Sequence, residues 1–162
     1  MTSLRKKVVF GKNFFPENHL LSQSFFTMAS IFTKIINGEI PCHKVAESAE
    51  YLAFLDIRPN AKGHTLVVPK KEIDYFFDLD DDLLAGLLVF AKRVAKAIEA
   101  TVTCKRVGVL VVGTEVPHAH VHLIPFQTER QMDISGSKMA FSQEELAAIA
   151  ASIRENFFSE EG

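Results

Sequence analysis

The sequence lacks an excess of charge of either sign, and it lacks long apolar runs. Its 162 residues carry 18 lysines and arginines against 20 aspartates and glutamates, a formal net charge of −2. A surface that binds nucleic acid needs clustered positive charge, so we expect no nucleic-acid partner. No apolar run approaches the roughly 20 residues of a membrane span, so we expect no membrane partner either.

Cysteine is also scarce. Cys42 and Cys104 are far apart and form no CxxC motif, so the sequence does not suggest a disulfide. We interpret both as reduced thiols, which favours a cytoplasmic protein. The length fits a single domain, and a hydrophobic content of 48% is ordinary for a globular core.

The first 27 residues differ from the remainder. Basic residues 5–7 precede the short apolar run Val8–Phe10, which weakly imitates a signal peptide. Residues Gly11–Asn13 end that run well before the roughly 7–15 residues of a signal core. We therefore expect residues 1–27 to be a poorly ordered extension, with Met28 as the natural start. The alternative is a docking arm that packs on a surface through its phenylalanines.

Hydrophobic periodicity predicts an α+β fold with a mainly antiparallel sheet. Strands are predicted at residues 44–47, 51–57, 64–69, 107–113 and 118–124. A short helix is predicted at residues 30–37, and a long amphipathic helix at residues 80–100, where acidic residues complement the helix dipole at its start. A capping box at Ser142–Glu145 predicts a last helix that runs to about Phe157.

The sequence does contain a row of histidines, in Pro117-His-Ala-His-Val-His-Leu-Ile-Pro125. On a strand, His118, His120 and His122 share one face, and the apolar residues between them face a core. Three interpretations compete. The row is the solvated face of an edge strand, or a metal site, since imidazole is the commonest zinc ligand, or a nucleophile with neighbours that orient it. Residues elsewhere in the chain favour the third.

Some of these other residues remain ambiguous when considered alone. Asp56 ends an apolar strand, where it either forms a turn or accepts hydrogen bonds from sugar hydroxyls. His64 begins the next strand, and considered alone it is structural rather than catalytic. Phe32 and Ile35 either line a pocket or belong to the core.

The histidine row matches the pattern His-φ-His-φ-His-φ-φ, with φ apolar, that names the histidine triad (HIT) family. Three other stretches resemble that family in the same order: Ile31–Pro41, Leu52–Pro59 and Gly63–Lys71. The chain thus resembles the Hint-like branch of the family from Ile31 to Pro125. The resemblance implies a HIT domain at residues 28–130, with a loop and a helix at residues 131–162 packing on it. It also implies the HIT-like fold, a five-stranded mainly antiparallel sheet with one long and one or two short helices.

The resemblance further implies a homodimeric hydrolase that binds a purine nucleotide or a nucleotide conjugate. It would cleave at the α-phosphate of a nucleoside phosphoramidate, an adenylylated amine or a dinucleoside polyphosphate, through a covalent nucleotidyl-histidine. No cofactor is expected. Two alternatives remain: a non-catalytic nucleotide sensor or scaffold of the same fold, and a metal hydrolase with histidine ligands.

The resemblance also implies the residues of the site. His120 would be the nucleophile, flanked by His118 and a protonated His122, with His64 close by. Four residues would wall the nucleoside pocket: Phe32, Ile35, Phe54 and Ile57. Asp56 would hold the ribose hydroxyls. Four residues would form the turn that faces the phosphate: Gly113, Thr114, Glu115 and Val116.

The chain departs from the family pattern in two places. Ser30 and Thr33 stand where many members have a zinc-binding CxxC, and Glu72 replaces a usual histidine. We therefore predict no zinc. Thr114 stands in a shortened phosphate turn where glutamine is common, which bears on the phosphate contacts and on substrate choice.

Overall fold

A computed structural model describes residues 29–159, so the expectation for residues 1–27 lies outside the described part. Its strands are β1 Lys44–Glu47, β2 Tyr51–Leu55, β3 Thr65–Pro69, β4 Arg106–Leu110 and β5 Val121–Phe126. Its α-helices are α1 Ile31–Ile36, α2 Asp81–Thr101 and α3 Gln143–Ser159, and single 3₁₀ turns lie at Phe76–Asp78 and Glu129–Met132. The predicted order of helices and strands is confirmed.

The five strands form one sheet in the order β1-β2-β3-β5-β4, and every neighbouring pair is antiparallel. The predicted five-stranded α+β fold is therefore confirmed. Strand β5 lies inside the sheet, between β3 and β4, and His122 stands opposite Leu66 of β3. This register fixes the face of the sheet on which the histidine row lies.

The sheet is covered on both faces, and the strand pleat divides its residues between two cores. Helices α2 and α3 cover one face, where Ala119, Val121 and Leu123 join the larger core. The short helix α1 packs on part of the other face, where Phe32 contacts Phe54 and Leu66. Because the residues between the histidines face α2 and α3, the imidazoles face α1, as the alternation predicts.

The histidine strand is shorter at its start than predicted. Strand β5 begins only at Val121, and Pro125 lies within it rather than at its end. The reason is that the preceding N–H groups bond elsewhere: His118 donates to the Val116 carbonyl at 2.8 Å and Ala119 to the Ile73 carbonyl at 2.7 Å. The imidazoles still alternate, although only His122 belongs to the sheet ladder.

Strand β2 ends at Leu55, two residues before the predicted end, and two other differences are larger. Strand β4 ends at Leu110, three residues before the predicted end at Gly113, whose φ of +74° interrupts extended backbone. The last helix has 17 residues, so it is a second long helix rather than a short one. Its predicted capping box is confirmed, since Ser142 N–H donates to the Glu145 carboxylate at 2.7 Å and Glu145 N–H donates to Ser142 Oγ at 3.2 Å.

Among the described helices, none combines the length and the apolar character that crossing a bilayer requires.

Helix α2 offers a matched pair of leucines for testing this packing. Leu87 is 0% exposed in the larger core, whereas its neighbour Leu88 is 43% exposed. We expect Leu87→Ala to lower the free energy of unfolding by about 2–5 kcal/mol, because it removes buried methyl groups and leaves a cavity. Leu88→Ala should cost less than about 1 kcal/mol. Urea unfolding followed by circular dichroism measures both, and equal losses would contradict the assigned buried face.

Candidate active site

His118 is held on both sides of its ring by segments that are distant in sequence. Its Nε2 lies 2.8 Å from the Pro69 carbonyl oxygen, and its Nδ1 lies 2.9 Å from Ser30 Oγ. A carbonyl only accepts, so Nε2 carries the hydrogen and Nδ1 accepts from the hydroxyl of Ser30. Burial lowers the pKa of His118, which is fully buried and therefore neutral near pH 7.

His120 is oriented by the backbone of the same row. Its Nδ1 lies 2.6 Å from the His118 carbonyl oxygen, so Nδ1 carries the hydrogen and Nε2 keeps its lone pair. Burial lowers the pKa of His120, which keeps that lone pair free near pH 7. Nε2 of His120 forms no hydrogen bond within residues 29–159. Every buried side-chain nitrogen or oxygen in those residues has a hydrogen-bond partner, so Nε2 is not a buried atom. The nitrogen of His120 that can form a covalent bond is therefore open to solvent.

His64 and His122 form a hydrogen-bonded pair. The Asn60 N–H donates to His64 Nδ1 at 3.2 Å, and His64 Nε2 lies 3.0 Å from His122 Nδ1. Since His64 Nδ1 accepts, its Nε2 carries the hydrogen and donates to His122. His122 consequently holds its own hydrogen on Nε2. His122 can therefore donate a hydrogen bond from Nε2, the nitrogen that does not contact His64.

The same burial keeps both rings of the pair uncharged. Desolvation lowers the pKa of His64 to about 4, against the opposing effect of the Asp56 carboxylate. Desolvation, with the neighbouring His120 and His64, lowers the pKa of His122 to about 3. The family resemblance implies a protonated His122 beside a phosphate, whereas in the unliganded protein burial keeps this ring neutral near pH 7. The ring donates a hydrogen bond as a neutral imidazole.

The backbone before β3 explains how His64 reaches this position. Gly63 has a φ of +87°, and a Cβ there would lie 2.9 Å from Val102 Cγ2. The chain can therefore turn tightly against the loop that follows α2. The next residue, His64, accepts from the Asp56 N–H at 3.0 Å through its own carbonyl, which aligns it with the end of β2.

Three of the four residues predicted to wall the nucleoside pocket lie in one apolar cluster, and the fourth does not. The rings of Phe32 and Phe54 meet edge to face with centroids 5.5 Å apart, and Phe32 also lies 5.1 Å from the His120 ring. Ile35 and Val116 pack against the same cluster. The structure thus brings these apolar residues beside the nucleophile. Ile57 lies outside the cluster, with its side chain 69% exposed.

Asp56 uses its two oxygens differently. Its Oδ1 accepts from the Arg58 N–H at 2.8 Å, which is the turn that the sequence suggested. Its Oδ2 lies 3.8 Å from His64 Nδ1. The carboxylate is therefore next to the imidazole pair and still has capacity to accept further hydrogen bonds.

The predicted phosphate turn lies at the surface. Thr114 and Glu115 are exposed, and Glu115 lies 3.8 Å from the Arg58 guanidinium in a pair that is itself exposed. Within the described residues, the N–H groups of Thr114, Glu115 and Val116 have no acceptor. A run of free N–H groups after a glycine with positive φ is able to bind an anion.

The residues that stand in the family's zinc positions do converge, but as a hydrogen-bond network. Ser30 Oγ accepts from the Thr33 N–H at 3.1 Å while it donates to His118, and the Thr33 hydroxyl donates to the Glu72 carboxylate. Neutral hydroxyls are poor ligands for zinc, which prefers thiolate, imidazole and carboxylate. These residues do not fit the family's structural zinc.

A second group bears on the metal-hydrolase interpretation. Among the described residues, Asp56, His64 and His122 bring one ligand atom each within 4.8 Å of one another. However, the facing nitrogens of His64 and His122 already share a hydrogen, and His64 Nδ1 accepts from Asn60. A metal ion would have to displace both hydrogen bonds.

Sequence reasoning missed two residues that the structure places next to the imidazole pair. Asn60 lies in a loop that carried no functional prediction, and its backbone orients His64. Lys138 contacts Asn60 from 78 positions along the chain. Neither has a local sequence signal, because their relation exists only after the loop that follows β5 packs against the loop between β2 and β3.

The fold and the site define a small α+β protein built around a row of neutral imidazoles, and comparisons with known proteins agree. A family model of the HIT domain matches residues 37–129. The chain is 38% identical over 132 residues to adenosine 5'-monophosphoramidase hnt1 of Schizosaccharomyces pombe, an alignment that covers 78% of this chain and 96% of that protein. It is 40% identical over 109 residues to adenosine 5'-monophosphoramidase HNT1 of Saccharomyces cerevisiae, covering 67% of this chain and 69% of that protein.

Solved structures give the same result. A HIT-like protein of Bartonella henselae superposes with a TM-score of 0.69 at 31% identity, covering 78% of this chain and 95% of that chain. The chain therefore belongs to the histidine triad family, as its sequence predicts.

The neutral imidazoles predict how stability depends on pH. Because the pKa of His64 is about 4 and that of His122 about 3 when folded, the unfolded chain binds more protons below its ordinary histidine pKa of about 6.5. We expect the free energy of unfolding to fall between pH 6.5 and pH 5, by up to about 1.4 kcal/mol per pH unit for each ring.

Urea unfolding at half-unit pH steps measures this slope. In that window the carboxylates, with pKa values near 4, contribute little. The variant His122→Gln should show a smaller slope than the parent. A free energy of unfolding that stays level from pH 6.5 to pH 5 would contradict the assignment of buried, neutral rings.

Proposed function

We propose that the protein hydrolyses nucleoside phosphoramidates at the α-phosphate, with His120 as the nucleophile. Adenylylated amines and dinucleoside polyphosphates offer the same reacting centre. The observation that carries the proposal is the bond from His120 Nδ1–H to the His118 carbonyl, which leaves Nε2 unprotonated and open to solvent. The names of the two yeast relatives, both adenosine 5'-monophosphoramidases, support this substrate class.

The reaction has two steps. His120 Nε2 bonds to the α-phosphorus as the bond from phosphorus to the amine breaks, and the amine takes up a proton from solvent as it leaves. Water then bonds to the phosphorus of the nucleotidyl-histidine, breaks its bond to Nε2, and releases the nucleoside monophosphate and a proton. Charge on the non-bridging phosphate oxygens is stabilised by hydrogen bonds from His122 Nε2–H and from the N–H groups of the turn at residues 113–116. His118 acts as a positioning residue, through its carbonyl.

The ligand is a purine nucleotide or a nucleotide conjugate. Phe32, Phe54 and Ile35 provide an apolar surface beside His120, and Val116 packs against the same cluster. Such a surface accepts adenine and guanine alike, because burial of a flat base discriminates weakly between them. Asp56 Oδ2 accepts from the ribose hydroxyls.

A nucleotide sensor of the same fold is the second candidate, and the exposed turn around Thr114 favours it. In that case, the imidazole row would bind phosphate without forming a bond to it. The two functions differ in one observable. Only the enzyme leaves a nucleotide attached to the protein when the reaction is quenched soon after mixing.

A homodimer joined through the sheet edges completes the proposal. Strand β4 is one edge of the sheet, and its Val109 is 57% exposed. Val112, just beyond the strand, is 43% exposed. An edge strand with free backbone groups and exposed valines is suited to pairing with a second copy of itself.

We expect His120→Ala to abolish turnover of adenosine 5'-phosphoramidate, a loss of at least about a thousandfold, because no other group supplies the nucleophile. The parent should carry an adenylyl group on the peptide that contains His120, detected by mass spectrometry after an alkaline denaturing quench, because the P–N bond of a nucleotidyl-histidine hydrolyses in acid. The His43→Ala variant is the matched control, since His43 lies outside the row and contacts Gln143.

Turnover of His120→Ala within a few-fold of the parent would refute the nucleophile. Turnover by the parent without a trapped adduct, but lost after chelation, would favour a metal ion at Asp56, His64 and His122. A parent that binds adenosine nucleotides but neither turns them over nor traps them would favour the sensor.

The dimer has its own test. Light scattering coupled to size exclusion should give twice the chain mass of 18.1 kDa. We expect a charged residue at the exposed edge, in Val109→Lys, to shift the population toward the monomer, since two copies of the charge would approach each other across the joined edges. A parent that elutes as a monomer at tens of micromolar would contradict edge pairing.

A further inference from the structure

The side chain of Asn60 is held by three groups of the loop that follows β5. Its Oδ1 accepts from Lys138 Nζ at 2.6 Å, and its Nδ2 donates to the carbonyls of Asp133 at 2.7 Å and Gln131 at 3.3 Å. An ammonium can only donate and the carbonyls can only accept, so the amide has a single satisfied orientation. Asn60 is 8% exposed, and this anchoring also fixes its backbone.

That backbone determines where the hydrogens lie in the imidazole pair. The Asn60 N–H donates to His64 Nδ1, so His64 donates to His122, and His122 holds its hydrogen on Nε2. This is the arrangement in which His122 is able to donate to a phosphate oxygen. The direction of donation along His64 and His122 therefore depends on the position of one backbone N–H.

A competing arrangement lies close by. Asp56 Oδ2 is 3.8 Å from His64 Nδ1, and a small movement of the ring would let Nδ1–H donate to that carboxylate. His64 Nε2 would then accept from His122 Nδ1–H, and His122 Nε2 would hold a lone pair. In that arrangement His122 would repel a phosphate oxygen instead of binding it.

We propose that Lys138 is a positioning residue that holds Asn60 against His64 and so selects the arrangement in which His122 donates from Nε2. The proposal rests on the proposed function for its catalytic consequence, but the positions of the hydrogens exist without substrate. The loop after β5, from Gln131 to Lys138, thereby belongs to the catalytic apparatus although it contributes no group that touches the substrate.

Two further observations agree with this role. Lys138 Nζ also donates to the Ile134 carbonyl at 2.7 Å, so the ammonium is fixed at both sides. The loop has an independent attachment, since the Met139 N–H donates to the Pro59 carbonyl at 2.8 Å. Removal of the Lys138 ammonium should therefore loosen Asn60, which keeps its bonds to the Asp133 and Gln131 carbonyls, without detaching the loop. The charge of Lys138 also lowers the pKa of both His64 and His122.

The direct test is to observe the ring nitrogens. In ¹⁵N-labelled protein without substrate, spectra that connect ring nitrogens to carbon-bound protons distinguish a protonated from an unprotonated nitrogen. We expect Nε2–H on both His64 and His122 in the parent, and a shift toward Nδ1–H on both in Lys138→Met. Lys138→Arg should restore the parent pattern, and Lys105→Met, which removes one exposed lysine elsewhere, should leave it unchanged.

The second readout is kinetic. With adenosine 5'-phosphoramidate, Lys138→Met should lower kcat about five- to tenfold and change KM less, because the charge on the phosphate oxygens that His122 stabilises grows in the transition state. Unchanged ring nitrogens in Lys138→Met would overturn the proposal, and so would shifted nitrogens with unchanged kcat. An inactive parent would refute the proposed function alone, because the nitrogen spectra would still decide the positioning role.

Discussion

The hydrogen bond from His120 Nδ1–H to the carbonyl of His118, at 2.6 Å, is the interaction on which the site depends. It is possible because the His118 carbonyl precedes β5, outside the sheet ladder, and lies only two residues before the ring that donates to it. The carbonyl is itself immobile, since the His118 ring is held by Pro69 on one side and by Ser30 on the other. Because the ring of His118 is fully buried and held on both sides, its backbone carbonyl is a fixed acceptor for the ring of His120, which must remain reactive.

Burial of the imidazoles serves reactivity and limits stability at the same time. Helix α1 and the apolar cluster around Phe32 and Phe54 remove water from one face of the sheet, and this desolvation lowers the pKa of every ring in the row. The neutral state leaves the lone pair on His120 free. It also means that the folded protein binds fewer protons than the unfolded chain below pH 6.5, so the free energy of unfolding falls there. Acid sensitivity is therefore a direct consequence of the chemistry that the site requires.

Much of the fold was predictable from local pattern. The alternation around His118 to His122, the amphipathic stripe of α2 and the capping box at Ser142 each express a local geometric period or a cap, and the structure contains all three. The start of β5 was not predictable, because the N–H groups of His118 and Ala119 bond to Val116 and Ile73 in loops. The neutral state of His122 was also missed, since a pKa depends on how deeply the completed fold buries the ring.

The positions of the hydrogens on the imidazoles were even less predictable from the sequence. Each imidazole has its hydrogen placed by a backbone group: the Pro69 carbonyl for His118, the His118 carbonyl for His120 and the Asn60 N–H for the pair of His64 and His122. Backbone groups do not ionise, so which nitrogen of each neutral ring carries the hydrogen is a property of the fold. Glu72 illustrates the contrast, because its carboxylate only accepts, from the Thr33 hydroxyl and the Ser30 N–H, and forms no hydrogen bond to an imidazole of the described residues. A triad motif therefore identifies which rings are present, whereas the segments that determine their hydrogens lie in loops that the motif does not include.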